Sequence, residues 1–131
     1  MQINKDLIIS GTNMTLGDTA YKDIYSTTET KTNKIWIDGR PIYRKVIKDI
    51  NVTSNMSETI STGLSNVNVI NIYGEYHTTD YGVVQTIPYT SQSKEYVIEA
   101  ISMNNGAIIR YRTASIFNGK SNIVLEYTKN N

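Results

Sequence analysis

A tight turn at Asp38-Gly39, with apolar and β-branched residues on both sides, most constrains how this chain folds. An Asp-Gly pair tolerates the positive φ angles of a two-residue type I′ turn, so residues 34–45 predict a β-hairpin. In that register Trp36 faces Pro41 in a non-hydrogen-bonded pair, where the missing N–H of proline costs the ladder nothing. Both faces of the hairpin carry apolar side chains, and we therefore predict that it is buried.

The composition and the spacing of apolar stretches predict an all-β chain. Among 131 residues there are 10 tyrosines, Ile and Thr are abundant, and Leu and Ala are scarce. Short apolar stretches alternate with Gly, Asn, Ser and Asp, which is the spacing of a sandwich or barrel. They occupy residues 35–37, 42–50, 67–76, 83–89, 96–103, 107–113 and 123–127. We predict an antiparallel β-sandwich of jelly-roll or Greek-key type, with a further strand at residues 6–10.

Two Asn-Gly pairs later in the chain predict different connections. Asn105-Gly106 predicts a second type I′ turn, whose register sets Ala100 against Tyr111 and Glu99 against Arg112 as an opposite-charge pair. A two-residue turn at Asn118-Gly119 would mix polar and apolar side chains on both faces, so a longer loop or a bulge is favoured there. Residues 53–63 show weak periodicity and are predicted to form a loop with at most one helical turn.

Charge and residue types exclude several classes of function. With 13 basic and 12 acidic side chains the net charge is +1, which gives no electrostatic reason to expect nucleic acid or an anionic membrane as partner. Cysteine is absent and His77 is the one histidine, so no cofactor or metal site is predicted. No apolar run is long enough to cross a bilayer. No catalytic motif is recognisable, and we predict a protein that is not an enzyme.

Binding chemistry concentrates in the tyrosine-rich middle of the chain. The loop from His77 through Asp80 and Tyr81 combines an aromatic ring with short polar groups suited to vicinal sugar hydroxyls, and Tyr89 follows it. The alternative is that the neighbouring tyrosines, Tyr89 included, pack the sandwich and that Asp80 caps the turn. Trp36 has the same two interpretations, a sugar-stacking ring or packing in the core or a subunit interface.

Arg110 and Arg112 are two residues apart on a predicted strand and so share one face. They could bind an anionic saccharide or a phosphate-bearing polymer, although an ion pair with Glu99 or with a carboxylate across a subunit interface is the more ordinary use. The candidate saccharide-binding residues are therefore His77, Asp80, Tyr81, Tyr89, Arg110 and Arg112.

Three short motifs carry a family resemblance. They are Tyr25-Ser26-Thr27, the Trp-Ile-Asp-Gly-Arg-Pro-Ile-Tyr-Arg-Lys run at residues 36–45, and Glu-Tyr-Thr-Lys at residues 126–129. In this order they resemble the C-terminal domains of tail-fibre and baseplate proteins from phages of Gram-positive bacteria. The motifs bracket nearly the whole chain, but residues 51–121 between them contain no motif of these phage proteins.

The resemblance implies a β-sandwich head, homotrimeric, at the tip of a tail appendage. The opening of the chain has a different texture, with Gly11, Asn13, Gly17 and Asp18 between short apolar pieces, which predicts a neck or N-terminal extension at residues 1–24 before a head at residues 25–131. The implied function is non-enzymatic recognition of host cell-surface saccharide, by a virion protein made in the host cytoplasm and joined to the rest of the phage tail. The alternative is a structural knob that trimerises or ends the fibre without binding a ligand.

Overall fold

A computed structural model describes residues 23–130 of the chain, and the predicted strand at residues 6–10 and most of the predicted neck lie outside them. The described part contains strands and no helix. The strands are β1 (Thr30–Ile35), β2 (Pro41–Val52), β3 (Ser57–Ser61), β4 (Val67–Thr78), β5 (Val84–Ile87), β6 (Tyr89–Thr90), β7 (Val97–Met103), β8 (Ile108–Ala114) and β9 (Gly119–Lys129). The predicted all-β class is confirmed.

The strands form two antiparallel sheets. The five-stranded sheet has the order β1-β2-β9-β4-β5, and the four-stranded sheet has the order β3-β8-β7-β6. Side chains from both sheets meet in one core, with Leu125 and Ile123 of β9 and Ile109 and Tyr111 of β8 fully buried. The arrangement is sandwich-like, because each sheet buries one face against the other.

Strand β9 is the centre of the larger sheet, since it pairs with β2 on one side and β4 on the other. Both neighbours carry a bulge. In β2 the register shifts between Ile47 and Ile50, and in β4 it shifts between Val69 and Asn71. An extra residue reverses which side chains of a strand face the core. Ile47 and Ile50 of β2, which are three residues apart, therefore both face inward.

The hairpin at Asp38-Gly39 forms, but its predicted register is wrong by one residue. Ile35, not Trp36, is paired with Pro41, and the Trp36 N–H donates to the Arg40 carbonyl at 2.9 Å. A type I′ turn requires positive φ at both central residues, whereas here Gly39 alone is positive, at 86°. The loop has three residues, with the Gly39 N–H bonded to the Trp36 carbonyl at 2.9 Å.

The predicted burial of this hairpin is also wrong. Ile35 is 68% exposed and Ile37 is 91% exposed, while Trp36 is half-buried. The reason is geometric: β1 is an edge strand, and Arg40 reaches the carbonyl of Lys129, the last residue of β9. The tip of the β1–β2 hairpin therefore projects beyond the end of β9.

The second hairpin has the predicted turn and register. Asn105 and Gly106 both have positive φ, and the Ala107 N–H donates to the Asn104 carbonyl at 3.1 Å, as a type I′ turn requires. Ala100 pairs with Tyr111 and Glu99 with Arg112, and the Glu99 carboxylate accepts a hydrogen bond from Arg112 Nε at 2.6 Å.

One loop prediction is wrong, and the longer loop favoured at Asn118-Gly119 forms without closing a hairpin. Residues 53–63 contain strand β3, whose exposed Ser and Thr side chains hide its periodicity because it is an edge strand. Residues 115–118 do not close a hairpin at all. They carry the chain from β8 in the smaller sheet to β9 in the larger one, so β8 and β9 never pair.

The outer face of the five-stranded sheet holds a buried arginine. Arg44 of β2 is 2% exposed, and its guanidinium donates to Glu126 Oε2 from Nε at 2.8 Å and to the carboxylate of Asp23 from Nη1. The Tyr25 ring lies 4.1 Å from the guanidinium carbon, and the Tyr73 hydroxyl donates to Glu126 Oε2 at 3.0 Å. All these partners compensate for the removal of one cation from water.

The ionisation of this cluster follows from its contacts. Burial would raise the pKa of Glu126, but hydrogen bonds from Arg44 and Tyr73 outweigh it and hold the pKa below its ordinary 4.5. Burial would likewise lower the pKa of Arg44, and the bonds to Asp23 and Glu126 outweigh it in the opposite direction. At neutral pH one full positive charge therefore lies between the two full negative charges of Asp23 and Glu126.

Removing the arginine side chain tests the cluster. Arg44→Ala leaves Glu126 buried without its cation, and we expect the free energy of unfolding in urea to fall by about 3–5 kcal/mol. Arg110→Ala is the matched control, because Arg110 is exposed and bonds only Ser57 among the described residues, at 3.3 Å. A loss below about 1 kcal/mol for Arg44→Ala would contradict the assignment.

The pH dependence of stability gives a second test. Because the folded pKa of Glu126 lies below 4.5, its ionised form stabilises the fold above that pH, and the contribution disappears as pH falls through the lowered pKa. Glu126→Gln resembles the protonated acid. The gap in unfolding free energy between the native chain and Glu126→Gln should therefore be constant near neutral pH and narrow in more acid solution; a gap unchanged by acid would refute the coupling.

Candidate functional site

A cleft of about 290 Å³ opens between the two sheets at the end where β9 begins. It is lined by Tyr76, Thr78, Val83, Gln85, Tyr89, Tyr96, Ile98, Ser115, Ile116 and Phe117. We call this set the aromatic cleft. Its lining comes from both sheets and from the connection between β8 and β9, so the folded sandwich is needed to assemble it.

Two hydrogen bonds between Thr78 and Val83 close the β4–β5 turn beside the cleft. The Thr78 N–H donates to the Val83 carbonyl at 3.0 Å, and the Val83 N–H donates to the Thr78 hydroxyl at 3.0 Å. Gly82 has a φ of 63°, a conformation that glycine adopts at little cost. The turn thereby presents Tyr81 at its tip.

Tyr81 meets Phe117 at the rim of the cleft. The ring centroids are 4.8 Å apart with an interplanar angle of 47°, and the two residues are 64% and 61% exposed. Large aromatic side chains in a monomeric protein are more commonly buried than this. The pair is an exposed aromatic surface supplied by two different connections.

Two hydrogen bonds fix the segment that carries Phe117. The buried Tyr76 hydroxyl donates to the Phe117 carbonyl, and the Thr79 N–H donates to the Asn118 carbonyl at 3.0 Å. Burial raises the pKa of Tyr76, so its hydroxyl keeps its proton and remains a donor at neutral pH. The two connections that form the rim are thus bonded to each other.

The cleft is uncharged. Its lining consists of aliphatic, aromatic, hydroxyl and amide side chains, and none of the lining residues is a carboxylate or a basic side chain. Such a surface offers apolar contact and neutral hydrogen-bonding groups to a ligand.

Three of the sequence-predicted residues come together here. Tyr89 lines the cleft, Tyr81 contacts Phe117 at its rim, and Asp80 precedes Tyr81 in the same turn. Tyr89 also packs against the core and Tyr76 is 3% exposed, as the packing interpretation of the tyrosines predicts. The side chain that caps the turn is that of Thr78 rather than Asp80.

The other predicted residues lie elsewhere. His77 alternates with Tyr76 and Thr78 and so faces the outer side of the larger sheet, where its Nε2 is 3.4 Å from Glu75 Oε1. Arg110 and Arg112 are on the outer face of the smaller sheet, with Arg112 paired to Glu99. The structure therefore does not bring His77 or the arginines into the aromatic cleft.

Sequence reasoning missed Phe117, Tyr96 and Gln85 as cleft residues. Phe117 is the one phenylalanine of the chain and stands just before the Asn118-Gly119 pair, outside every predicted strand. An aromatic residue in a polar connection is a usable signal for an exposed contact. The position of Gln85 opposite Tyr76 depends on the β4–β5 register, which the sequence does not fix.

A larger groove of about 570 Å³ runs along β4 and β7. Its lining is aliphatic and amide, with no aromatic side chain. The smaller cleft is the better candidate because aromatic rings and polar groups converge on it.

Within residues 23–130, no group of three or more His, Cys, Asp or Glu side chains is arranged to hold a metal ion. No helix in the described part of the chain is long and apolar enough to span a membrane. Comparisons with protein-family models, curated proteins and solved structures found no match to this chain.

Exposure of the rim predicts that it can be changed without loss of the fold. We expect Tyr81→Ala and Phe117→Ala each to lower the free energy of unfolding by no more than about 1 kcal/mol, the scale of a partly exposed aromatic contact. Tyr76→Ala, which empties a buried site, should cost several-fold more in the same urea titration. Equal losses for all three would show that the rim is part of the core.

Proposed function

We propose that this protein is a non-enzymatic recognition head of a phage tail appendage, which binds saccharide on the host cell surface through the aromatic cleft. The observation that carries the proposal is the exposed pair Tyr81 and Phe117 beside an uncharged cleft. No cofactor or metal is needed for such binding.

The chemistry of the pair suits a sugar. Aromatic rings cover the apolar C–H face of a pyranose, and tyrosine adds a hydroxyl at low cost in side-chain entropy. Hydroxyl and amide groups in the cleft, such as those of Ser115 and Gln85, offer hydrogen bonds to sugar hydroxyls. Short polar loops near the rim add further donors and acceptors.

The proposed assembly rests on the resemblance of the three motifs. We propose a homotrimer with a jelly-roll-like topology, incorporated in the virion after synthesis in the host cytoplasm. The chain alternates between the two sheets from β2 to β3 to β4, and this alternation supports the proposed jelly-roll-like topology. A trimer would present identical clefts to a repeating polymer, and weak single-site binding would gain strength through effective concentration.

The two ends of the sandwich suit two roles. The aromatic cleft lies where β9 begins, and the exposed β1–β2 tip lies beside Lys129, where β9 ends. The 11 residues of β9 therefore separate them by roughly 30 Å at the usual rise of a strand. The tip is free to contact the rest of the tail while the cleft faces a ligand.

A second candidate function is a structural knob that trimerises or ends the fibre and binds no ligand. The exposure of Ile35 and Ile37 at the hairpin tip favours a contact with another protein surface there. Both functions predict an oligomer, so oligomeric state does not distinguish them.

Adsorption to host cells distinguishes the two functions. The double variant Tyr81→Ala with Phe117→Ala should lose at least tenfold in binding to intact Gram-positive cells, and released wall polysaccharide should compete with the native chain. Ile37→Ser is the control, because it removes an exposed apolar side chain at the opposite end and should leave adsorption unchanged. Light scattering of all variants verifies that assembly is intact.

Two results would contradict the recognition role. One is a native chain that adsorbs to none of a panel of Gram-positive cells, and the other is adsorption that survives the double variant. Either result would favour the structural knob.

A further inference from the structure

Building on the proposed function, we infer that the aromatic cleft takes an uncharged, N-acetylated hexosamine unit and rejects phosphate-bearing and carboxylated sugars. The inference concerns which saccharide binds, and it rests on the charge, the apolar lining and the amide of the cleft.

Charge is the first argument. A phosphate or carboxylate that enters the cleft would lose part of its hydration, and none of the lining residues is a lysine, arginine or histidine that would compensate it. The arginines that suit an anion are on the outer face of the smaller sheet, and Arg112 is occupied by Glu99 at 2.5 Å. The cleft therefore discriminates against anionic polymers.

The cleft also disfavours a cationic ligand. Glu75 faces the outer side of the larger sheet, where the Asn122 amide donates to it at 2.6 Å, and none of the lining residues is a carboxylate. A free amino sugar, which is protonated in mildly acid solution, would also lose hydration inside the cleft, because the nearby carboxylate of Asp80 is in the rim turn and not in the lining. Neutral sugars remain.

The apolar lining favours an acetamido group over a hydroxyl. Val83, Ile98 and Ile116 line the cleft together with the rings of Tyr89 and Tyr96. The methyl of an acetamido group gains from leaving water against such a surface, whereas a hydroxyl at the same carbon must find a hydrogen-bond partner.

Gln85 supplies the matching polar contact. Its side chain lies on the inner side of β5 opposite Tyr76, and its one side-chain hydrogen bond among the described residues is a long one, to the Thr86 carbonyl at 3.5 Å. A primary amide both donates and accepts, so it suits the N–H and C=O of an acetamido group. The combination of one amide and an aliphatic wall selects for acetylation.

The size of the cleft fits one sugar unit. Its volume of about 290 Å³ is at the lower end of ligand pockets, which begin near roughly 300 Å³. The remaining units of a chain would extend over the exposed rings of Tyr81 and Phe117 at the rim. A short oligosaccharide is therefore the appropriate probe.

Four soluble probes separate the contributions. They are the N-acetylglucosamine trimer, its fully deacetylated counterpart, the glucose trimer with the same β-1,4 linkage, and a glycerol-phosphate oligomer. Binding is measured by chemical shifts of the labelled protein in NMR at about pH 6, where the free amines are protonated. We expect the acetylated trimer to bind at least tenfold more tightly than each of the other three.

Substitution of Gln85 supplies a matched variant. Gln85→Glu keeps the shape of the side chain and introduces one negative charge, so the preference for the acetylated over the deacetylated trimer should fall at least tenfold. Ile37→Ser, at the opposite end of the sandwich, should leave that preference unchanged. Native-like NMR spectra of both variants verify the fold.

The outcomes separate this inference from the proposed function. Adsorption to host cells that is competed by the glycerol-phosphate oligomer and not by the acetylated trimer would overturn the inference while the recognition role stands. Equal binding of the acetylated and glucose trimers would also overturn it. Absence of adsorption to any host, together with no shift from any probe, would overturn both.

Discussion

The pairing of β2 with β9 through Arg44 and Glu126 is the interaction on which the rest of the sandwich depends. These residues are direct neighbours in the ladder, and the buried guanidinium is held by the carboxylates of Glu126 and Asp23 and by the Ile24 carbonyl. Because β9 is also the partner of β4, this ion pair fixes the strand that organises the whole larger sheet. A buried pair of this kind is costly to break from one side, which favours a single register over slipped alternatives.

The three motifs that carry the family resemblance meet at this place. Tyr25 covers the guanidinium of Arg44, and the Ser26 carbonyl accepts the Val46 N–H at 2.9 Å. On the opposite face Tyr43 stacks on Tyr127 with centroids 6.1 Å apart. The motifs are distant in sequence but contiguous in space, and their residues hold strands together rather than line the cleft. The likeness to tail-fibre domains that we propose from them is therefore an argument about fold, and the proposed recognition role has to be argued from the cleft.

Local turn chemistry predicted more of the fold than long-range pairing did. The Asn105-Gly106 turn fixes its own register, since both strands follow directly from two residues with positive φ. The sequence predicts the hairpin at Gly39, but a three-residue loop shifts its pairing by one, and only the end of β9 decides that its tip is exposed. The order of strands in each sheet depends on contacts between distant segments, which alternation alone does not encode. Within the site, Tyr81 and Tyr89 were predictable from composition, whereas Phe117 reaches them only because β8 and β9 belong to different sheets.

The rigidity of the rim follows from the same architecture and bears on how weakly or tightly the cleft binds. Its two connections are tied by the bonds Thr79 to Asn118 and Tyr76 to Phe117, and Val83 is bonded twice to Thr78. Loops held in this way lose little conformational freedom when a ligand binds, so more of the contact energy is available for affinity. The single sugar unit proposed for the cleft limits that energy, so the proposed trimer would attach more firmly through its repeated copies of the cleft.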